Sequence, residues 1–326
     1  MRLALPLLVA VAVLFLVSLL TGPAEIGLGR SLAALFAGGE DPVALVMRDI
    51  RLPRALLAVM IGASLGLSGA AMQGYLRNPL AEPGLIGVSG SAALGAVLAI
   101  QTGLAATFAL GLPLAALAGA LGGVLLVMAL AGPRGTSLTL ILGGIAVSSL
   151  AGALTALVLN LSPNPFAASE IVFWMMGSLA DRSMTHVWLA LPLMVVGWAL
   201  LAGLGRGLDA LILGEDAAQA MGIDMARLRL MLVVGTACVV GAGTAVAGAI
   251  GFVGLVVPHM LRPLVGGHPG RLLWASALGG AAMVLLADIA VRVILPDRDL
   301  KLGVLTALVG APLFLHLILR LRRERI

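Results

Sequence analysis

Residues 51–90 read RLPRALLAVMIGASLGLSGAAMQGYLRNPLAEPGLIGVSG. Two arginines, Arg51 and Arg54, precede an apolar run rich in Gly, Ala and Ser, and a polar turn around Asn78-Pro79-Leu80 breaks it. A membrane anchor needs only about 20 apolar residues. Close packing against neighbours needs more, because lipid gives helices no hydrophobic drive to associate. Small residues then let backbones approach until dispersion and hydrogen bonds hold them. The stretch therefore predicts a helix packed tightly beside other helices, next to a pathway that moves.

The rest of the chain agrees. It is 61% hydrophobic and 11% charged, with 43 glycines. Soluble domains carry about 25% charged residues, and one soluble core cannot hide this much apolar surface. The composition predicts an all-α polytopic membrane protein, read as one transmembrane domain over 1–326. The net charge of +5 comes from nineteen arginines and one lysine spread over loops, with no basic stripe interleaved with aromatics. That pattern is membrane-flanking charge, and no nucleic-acid partner is expected. The single cysteine, Cys238, excludes an internal disulfide framework and a cysteine metal cluster. The apolar stretch 3–20 exceeds the usual ~7–15 residue core of a signal peptide, and no A-x-A site follows it. It is read as the first span.

Hydropathy places about ten spans, at 3–21, 55–76, 84–103, 108–131, 138–160, 186–205, 229–250, 254–266, 272–294 and 302–320. The eighth is short and interrupted by proline. An even number puts both termini on one side. The tail arginines Arg320, Arg322, Arg323 and Arg325 make that side the cytoplasm by the positive-inside rule. Twelve basic residues then lie inside and eight outside, and four of the outer eight crowd the loop 22–54. An outer face with a use for arginines would account for them.

Two further segments read as ordered without spanning. In 165–183, Ile171, Trp174, Met175 and Leu179 fall near helical spacing, as in an amphipathic helix at the outer interface. In 209–224, Glu215 and Asp216 open a short helix where its dipole favours acids, and Gly222 sits at its C-terminal cap. That helix is too short and Ala-rich to anchor in lipid, so it is expected to dock on protein. Spans two and seven each join a small-residue helix to a broken connection. Inverted repeats with broken helices are a transporter feature.

No catalytic set is present. The chain lacks the GxxxxGK[ST] phosphate loop, HExxH and GxSxG, so no resident cofactor or metal is expected and any ATP is bound by a partner. Gln73 either bridges helices or lines the pathway. Asp288 and Arg292, four apart, can pair along one helix face. Asn78-Pro79-Leu80 and Thr136-Ser137 are inner turns that read as loops or as gates. Irregular backbone at membrane depth is tolerated where it lines a cavity.

Several blocks in order resemble one family: residues 51–96 as a unit, LILGGIAVSS, FWMMGSLAD, LGEDAAQAMGID, the run from GFVGLVVPHMLRP to LLADIAVR, and the closing LKLGVLTALVGAPLFLHLILR. They are similar to the FecCD-type permease subunits of bacterial type II ABC importers for iron-siderophores, haem and vitamin B12. The resemblance covers essentially the whole chain. It implies a homodimer of ten-helix subunits in the inner membrane, with two cytoplasmic ATP-binding subunits and one periplasmic substrate-binding protein. It also assigns roles. Leu213, Gly214, Glu215, Asp216, Ala217, Ala218, Met221 and Gly222 belong to the helix that couples to the ATPase. Asn78, Leu80, Thr136 and Ser137 belong to cytoplasmic gates. Arg51, Arg54 and Arg292 meet carboxylates on the binding protein.

The expected cargo is a large iron-containing chelate. The LRNPLAEPGL and MGSL blocks lean towards haem, with a siderophore or vitamin B12 as alternatives. An ion-coupled secondary transporter is the more distant alternative. Such a protein usually shows intramembrane acids, and here Asp288 is nearly alone.

Overall fold

The computed structural model describes residues 3–22, 27–36, 41–132, 135–162, 165–294 and 300–323. Among these residues every regular element is helical. In chain order the helices are α1 (Ala4–Leu20), α2 (Leu28–Phe36), α3 (Pro42–Leu45), α4 (Leu52–Tyr75), α5 (Val88–Gln101), α6 (Leu104–Thr107), α7 (Gly111–Ala131) and α8 (Ser137–Asn160). They continue with α9 (Pro165–Met175), α10 (Met184–Ala202), α11 (Gly205–Leu211), α12 (Glu215–Ala220), α13 (Met225–Ala247), α14 (Val253–Leu261), α15 (Pro269–Ile294) and α16 (Leu302–Arg323).

Six described helices are long and apolar enough to cross a membrane, three shorter ones are equally apolar, and α14 is the short, proline-containing eighth segment. These coincide with the ten predicted spans, and the chain is an integral membrane protein. Arg2, Arg134, Arg298 and Arg325 lie outside the described residues, as do the side chains of Arg320, Arg322 and Arg323.

Two helices form the centre. The most apolar windows of α4 and α13 are each 83% buried, against 28% for α7, α8 and α10. They are the second and seventh membrane segments, the two that the inverted-repeat pattern pairs. Each leads through a broken connection into a shorter helix, α5 or α14. The small residues act as predicted. A Cβ on Gly62 or Gly66 would strike the backbone carbonyls of Gly280 or Ser276 on α15. On another face of α4, Trp198 of α10 donates its indole N–H to Ser64 Oγ at 2.9 Å, a polar bond between those two helices.

The first connection differs from its reading as a charged loop. Helix runs without a break from Pro42 to Tyr75, 34 residues, with a π-turn at Val46–Arg51. The charges of this region mark where the helix leaves the apolar layer, and hydropathy registers that as an end. Asp41 caps the start by accepting from Val43 N–H at 3.1 Å.

The segment 165–183 is also corrected. Its helix stops at Met175, and Gly177 (φ 71°) turns the chain so that Ser178 N–H donates to Ala247 O at 2.7 Å. Ile171 and Leu179 are buried, but Met175 and Phe173 are exposed. The apolar spacing thus spans a helix and a turn, two pieces packed separately, and no single amphipathic stripe forms.

Candidate functional site

The predicted site residues fall at the two ends of α4 and on the short acidic helix. At the predicted outer end, Arg51, Arg54 and Arg292 do come together. Their charged groups, however, turn inward. Arg54 Nε donates to Asp288 Oδ1 at 2.9 Å, and Arg292 Nη2 lies 2.9 Å from Asp288 Oδ2. The Asp288 side chain is 1% exposed. Arg292 also donates to Ser18 O, Thr21 O and Ser18 Oγ, and Arg51 donates to Leu19 O and Leu20 O at 3.0 and 3.1 Å. The last carbonyls of α1 have no partner within their own helix, and they carry its negative dipole end. Two guanidiniums therefore close that helix, and one buried carboxylate anchors two of the three. Arg51 is 4% exposed, so it presents no free side chain to the outside.

Near the predicted inner end, Gln73 is fully buried. Its Nε2 donates to Leu255 O at 3.1 Å, and its Oε1 accepts from Arg262 Nη2 at 2.8 Å. Both ends of the amide are thus used to bridge α4 to α14 and the turn after it. Of the two roles read for Gln73, the interhelix bridge is the one displayed within the subunit. It donates to a backbone carbonyl of the short helix that contains Pro258.

α4 then ends in a capped turn. Asn78 N–H donates to Gln73 O and Arg77 N–H to Gly74 O, the paired bonds of a Schellman end, with Arg77 in the left-handed region (φ 48°). Asn78 Oδ1 accepts from Leu80 N–H at 3.0 Å, so the side chain shapes the turn that follows. The second turn is built alike. Thr136 caps α8 by accepting from Thr139 N–H at 3.3 Å, and Ser137 is its first helical residue. Asn78 and Thr136 are exposed, and Leu80 and Ser137 are half-buried. Both turns reach the predicted inner surface, and a neutral side chain caps each.

The acidic helix α12 sits beside them. Gly214 (φ 104°) opens it, and Glu215 and Asp216 occupy its first turn. It ends in a Schellman motif, with Gly222 N–H to Gln219 O and Ile223 N–H to Ala218 O. Gly222 has φ 83°, which a residue with a side chain rarely adopts. Ala218 is buried against the bundle, while Leu213 and Met221 are 70% and 53% exposed. Leu213 and Met221 thus leave two large apolar side chains uncovered within the subunit. Ala217 lies on the same short helix.

Reading the sequence missed two residues of this inner end. Tyr75, the only tyrosine in the sequence, lines one crevice with Ser137, Glu215 and Arg229. Arg229 donates to Gly135 O and, at 3.4 Å, to Gly132 O. Tyr75 carried a weak signal, a polar-tipped aromatic at the end of an apolar run. Arg229 carried none, since its partners lie some 94 residues away. No group of three or more His, Cys, Asp or Glu that could hold a metal occurs among the described residues.

The chain is similar to known proteins along nearly its whole length. The family model described as the FecCD transport family matches residues 9–320. A cobalamin import system permease protein, BtuC, of Halobacterium salinarum is 40% identical over 88% of this chain and 76% of its own length. The Fe(3+) dicitrate transport system permease protein FecD of Escherichia coli is 38% identical over 85% of this chain and 86% of its own. A solved inward-facing structure of a metal-chelate type ABC transporter superposes with a TM-score of 0.87 at 34% identity, covering 98% of this chain and 99% of that one. The structure of PsaBC from Streptococcus pneumoniae, at TM-score 0.51 and 14% identity, shares the fold alone.

Proposed function

This chain belongs to the FecCD transport family, and from that premise we propose that it is the permease subunit of an ATP-driven importer for a large metal chelate. The observation that carries the reading is α12. It is a short, capped, acidic helix with exposed Leu213 and Met221, projecting beside two polar turns at the end of a buried central helix. A chain without a phosphate-binding loop needs another subunit to hydrolyse ATP, and α12 offers that subunit a rigid handle.

In this reading the protein is a homodimer in the bacterial inner membrane with both termini in the cytoplasm. Two ATP-binding subunits grip the two copies of α12. The turns at Asn78–Leu80 and Thr136–Ser137 open and close the inner exit. A periplasmic binding protein docks on the outer end. Arg51, Arg54 and Arg292 support that docking mainly through their field, since Asp288 pairs with Arg54 and Arg292 while Arg51 meets carbonyls, which leaves an excess of positive charge. Steering of this kind weakens with salt. The pathway carries few charges, so selectivity rests mostly on the binding protein.

Haem is the first chelate to test, on the strength of the sequence blocks. The relatives named for cobalamin and ferric dicitrate keep those two classes beside it. The test is ATP hydrolysis and import by the full assembly in lipid, with its cognate binding protein and haem, a ferric siderophore or cobalamin in turn. One of the three should stimulate both activities. Replacing both Glu215 and Asp216 with Lys should cut import at least about tenfold, the scale of one lost charged contact at an interface. Unchanged import by that variant would remove α12 from the coupling role, and stimulation by none of the three would overturn the cargo class.

A further inference from the structure

At the predicted outer end a pocket of about 340 Å³ opens where α7, α10 and α16 begin and α13 ends. Glu170, Trp174, Asp181, Arg182 and His186 line it, and none of them has a role in the transport scheme above. The indole Nε1 of Trp174 and the guanidinium Nε of Arg182 are both buried, and neither has a hydrogen-bond partner among the described residues. Buried donors nearly always find an acceptor, because an unmet one keeps the full cost of leaving water. Arg182 also forms no ion pair among the described residues. Burial pushes its guanidinium below the ordinary range, and Asp181 opposes that without cancelling it.

The frame around these donors is fixed. Glu170 and Trp174 are four apart on α9 and share a helix face. Gly177 O accepts from Gly303 N–H at 3.3 Å, and Ser178 N–H donates to Ala247 O at 2.7 Å. A Cβ on Gly303 would strike Met176 O, so α16 starts hard against the turn that follows α9. Ser183 N–H donates to His186 Nδ1 at 3.2 Å. A neutral His186 therefore carries its proton on Nε2, a third donor among the lining residues. Lys301 also lines the pocket and lies over the Phe173 ring, 5.6 Å from its centre.

The charges are sorted by depth. Trp174, Arg182 and His186 are half-buried, whereas Glu170 and Asp181 are exposed. Neither acid forms an ion pair among the described residues. A ligand that meets all five groups presents an oxyanion inward and a cation outward. Phosphoethanolamine carries both, separated by a two-carbon link. The pocket also opens at the ends of membrane-spanning helices, the level of lipid headgroups, where tryptophan is enriched. On the same α9, Phe166 and Phe173 are 84% and 57% exposed and offer acyl chains an apolar face.

We propose that this pocket binds the headgroup of a phosphatidylethanolamine-type lipid of the outer leaflet, its phosphate on Trp174, Arg182 and His186 and its ammonium at Glu170 and Asp181. A bound headgroup ties α9 to the start of α10 and supplies the acceptors that the two buried donors lack. Such a site does not depend on what the protein transports.

The experiment counts lipids retained by the purified, delipidated full-length chain in native mass spectrometry and follows its thermal unfolding in detergent. The probes are dioleoyl-phosphatidylethanolamine, dioleoyl-phosphatidylglycerol and inorganic phosphate. The two lipids share acyl chains and a phosphate, so only the first tests the ammonium. The native chain should hold it at least about fivefold better than the second, the scale of one net hydrogen bond. Arg182→Met should lower its retention at least about tenfold and Trp174→Phe about fivefold, as expected for a charged and a neutral hydrogen bond. The double variant Glu170→Gln/Asp181→Asn should bind both lipids alike.

Stability separates a ligand role from a structural one. Without lipid, Arg182→Met should melt no lower than the native chain, because it removes an unpaired buried donor. Phosphatidylethanolamine should then raise the melting temperature of the native chain and not that of the variant. A variant that melts lower without lipid would make Arg182 a structural residue and overturn the proposal. Native retention by Arg182→Met would overturn it as well. Equal binding of the two lipids by the native chain would remove the ammonium site and with it the proposed headgroup. Full stabilisation by inorganic phosphate alone would assign the pocket to a free anion and overturn the lipid.

Discussion

The two ends of α4 hold their neighbours by opposite means. At the outer end, Arg54 and Arg292 converge on buried Asp288, and Arg51 and Arg292 close the last carbonyls of α1. At the inner end, Asn78 and the Thr136 cap use neutral, solvent-exposed bonds, and the guanidinium of Arg229 meets backbone carbonyls. Separating a buried ion pair costs several times as much as exchanging a neutral hydrogen bond with water. The outer end is thus costlier to separate than the capped turns at the inner end. Both ends lie on one continuous helix, which links that anchor to those turns.

The largest effect should come from breaking the anchor. Asp288→Ala leaves Arg54 and Arg292 without their shared anion in a buried setting and should destabilise the fold by about 3–5 kcal/mol. Thermal unfolding of the purified protein in detergent measures it. If Asp288→Ala unfolds within a degree or two of the native chain, the contrast between the two ends collapses. Substituting Asn, which keeps the shape but not the charge, separates packing from charge.

A change at the inner end should cost less and show up in a different quantity. Thr136→Ala removes the cap of α8 and should cost about 1 kcal/mol. Its signature is faster amide hydrogen exchange confined to the first turn of α8, with the outer end unaffected. Exchange that rises equally at both ends would mean the two regions unfold as one unit, and the comparison would lose its meaning.

The smallest effect sharpens the inner end further. Burial pushes the Glu82 carboxyl above its ordinary range, with no compensating charge among the causes. A raised value means the folded chain holds that proton more tightly than the unfolded chain. The group's contribution to stability is then fully present below its ordinary value and is lost as pH rises through the raised one. Glu82→Gln should leave the melting temperature unchanged at about pH 4 and raise it slightly at about pH 8, since only the charged form is penalised. An equal shift at both pH values would assign the effect to packing.

Much of this was legible in the sequence. Hydropathy located the membrane segments, and the glycine-rich register of 55–76 foretold close packing, realised where Gly62 and Gly66 meet α15. Gly214, Gly222 and the two acids marked α12, because caps are written within a few residues of the ends they close. The i,i+4 spacing of Asp288 and Arg292 foretold their pair. The outer arginines were less legible. Their number in 22–54 was noted, but their direction was not, since Arg54 meets a carboxylate 234 positions away.

The sequence by itself therefore determined a helical membrane bundle, its central small-residue helices, its capped acidic helix and its polar inner turns, all set by signals that act within a few turns of chain. Only the tertiary structure decided that Arg54 and Arg292 turn inward on Asp288, that Gln73 bridges to Leu255, and that Arg229 meets the carbonyls of Gly132 and Gly135. Those partnerships bring together side chains distant in the chain. Which charge or hydrogen-bonding group finds which partner is settled by helix packing, because in a dry interior a polar group must pair with whatever the fold brings within reach.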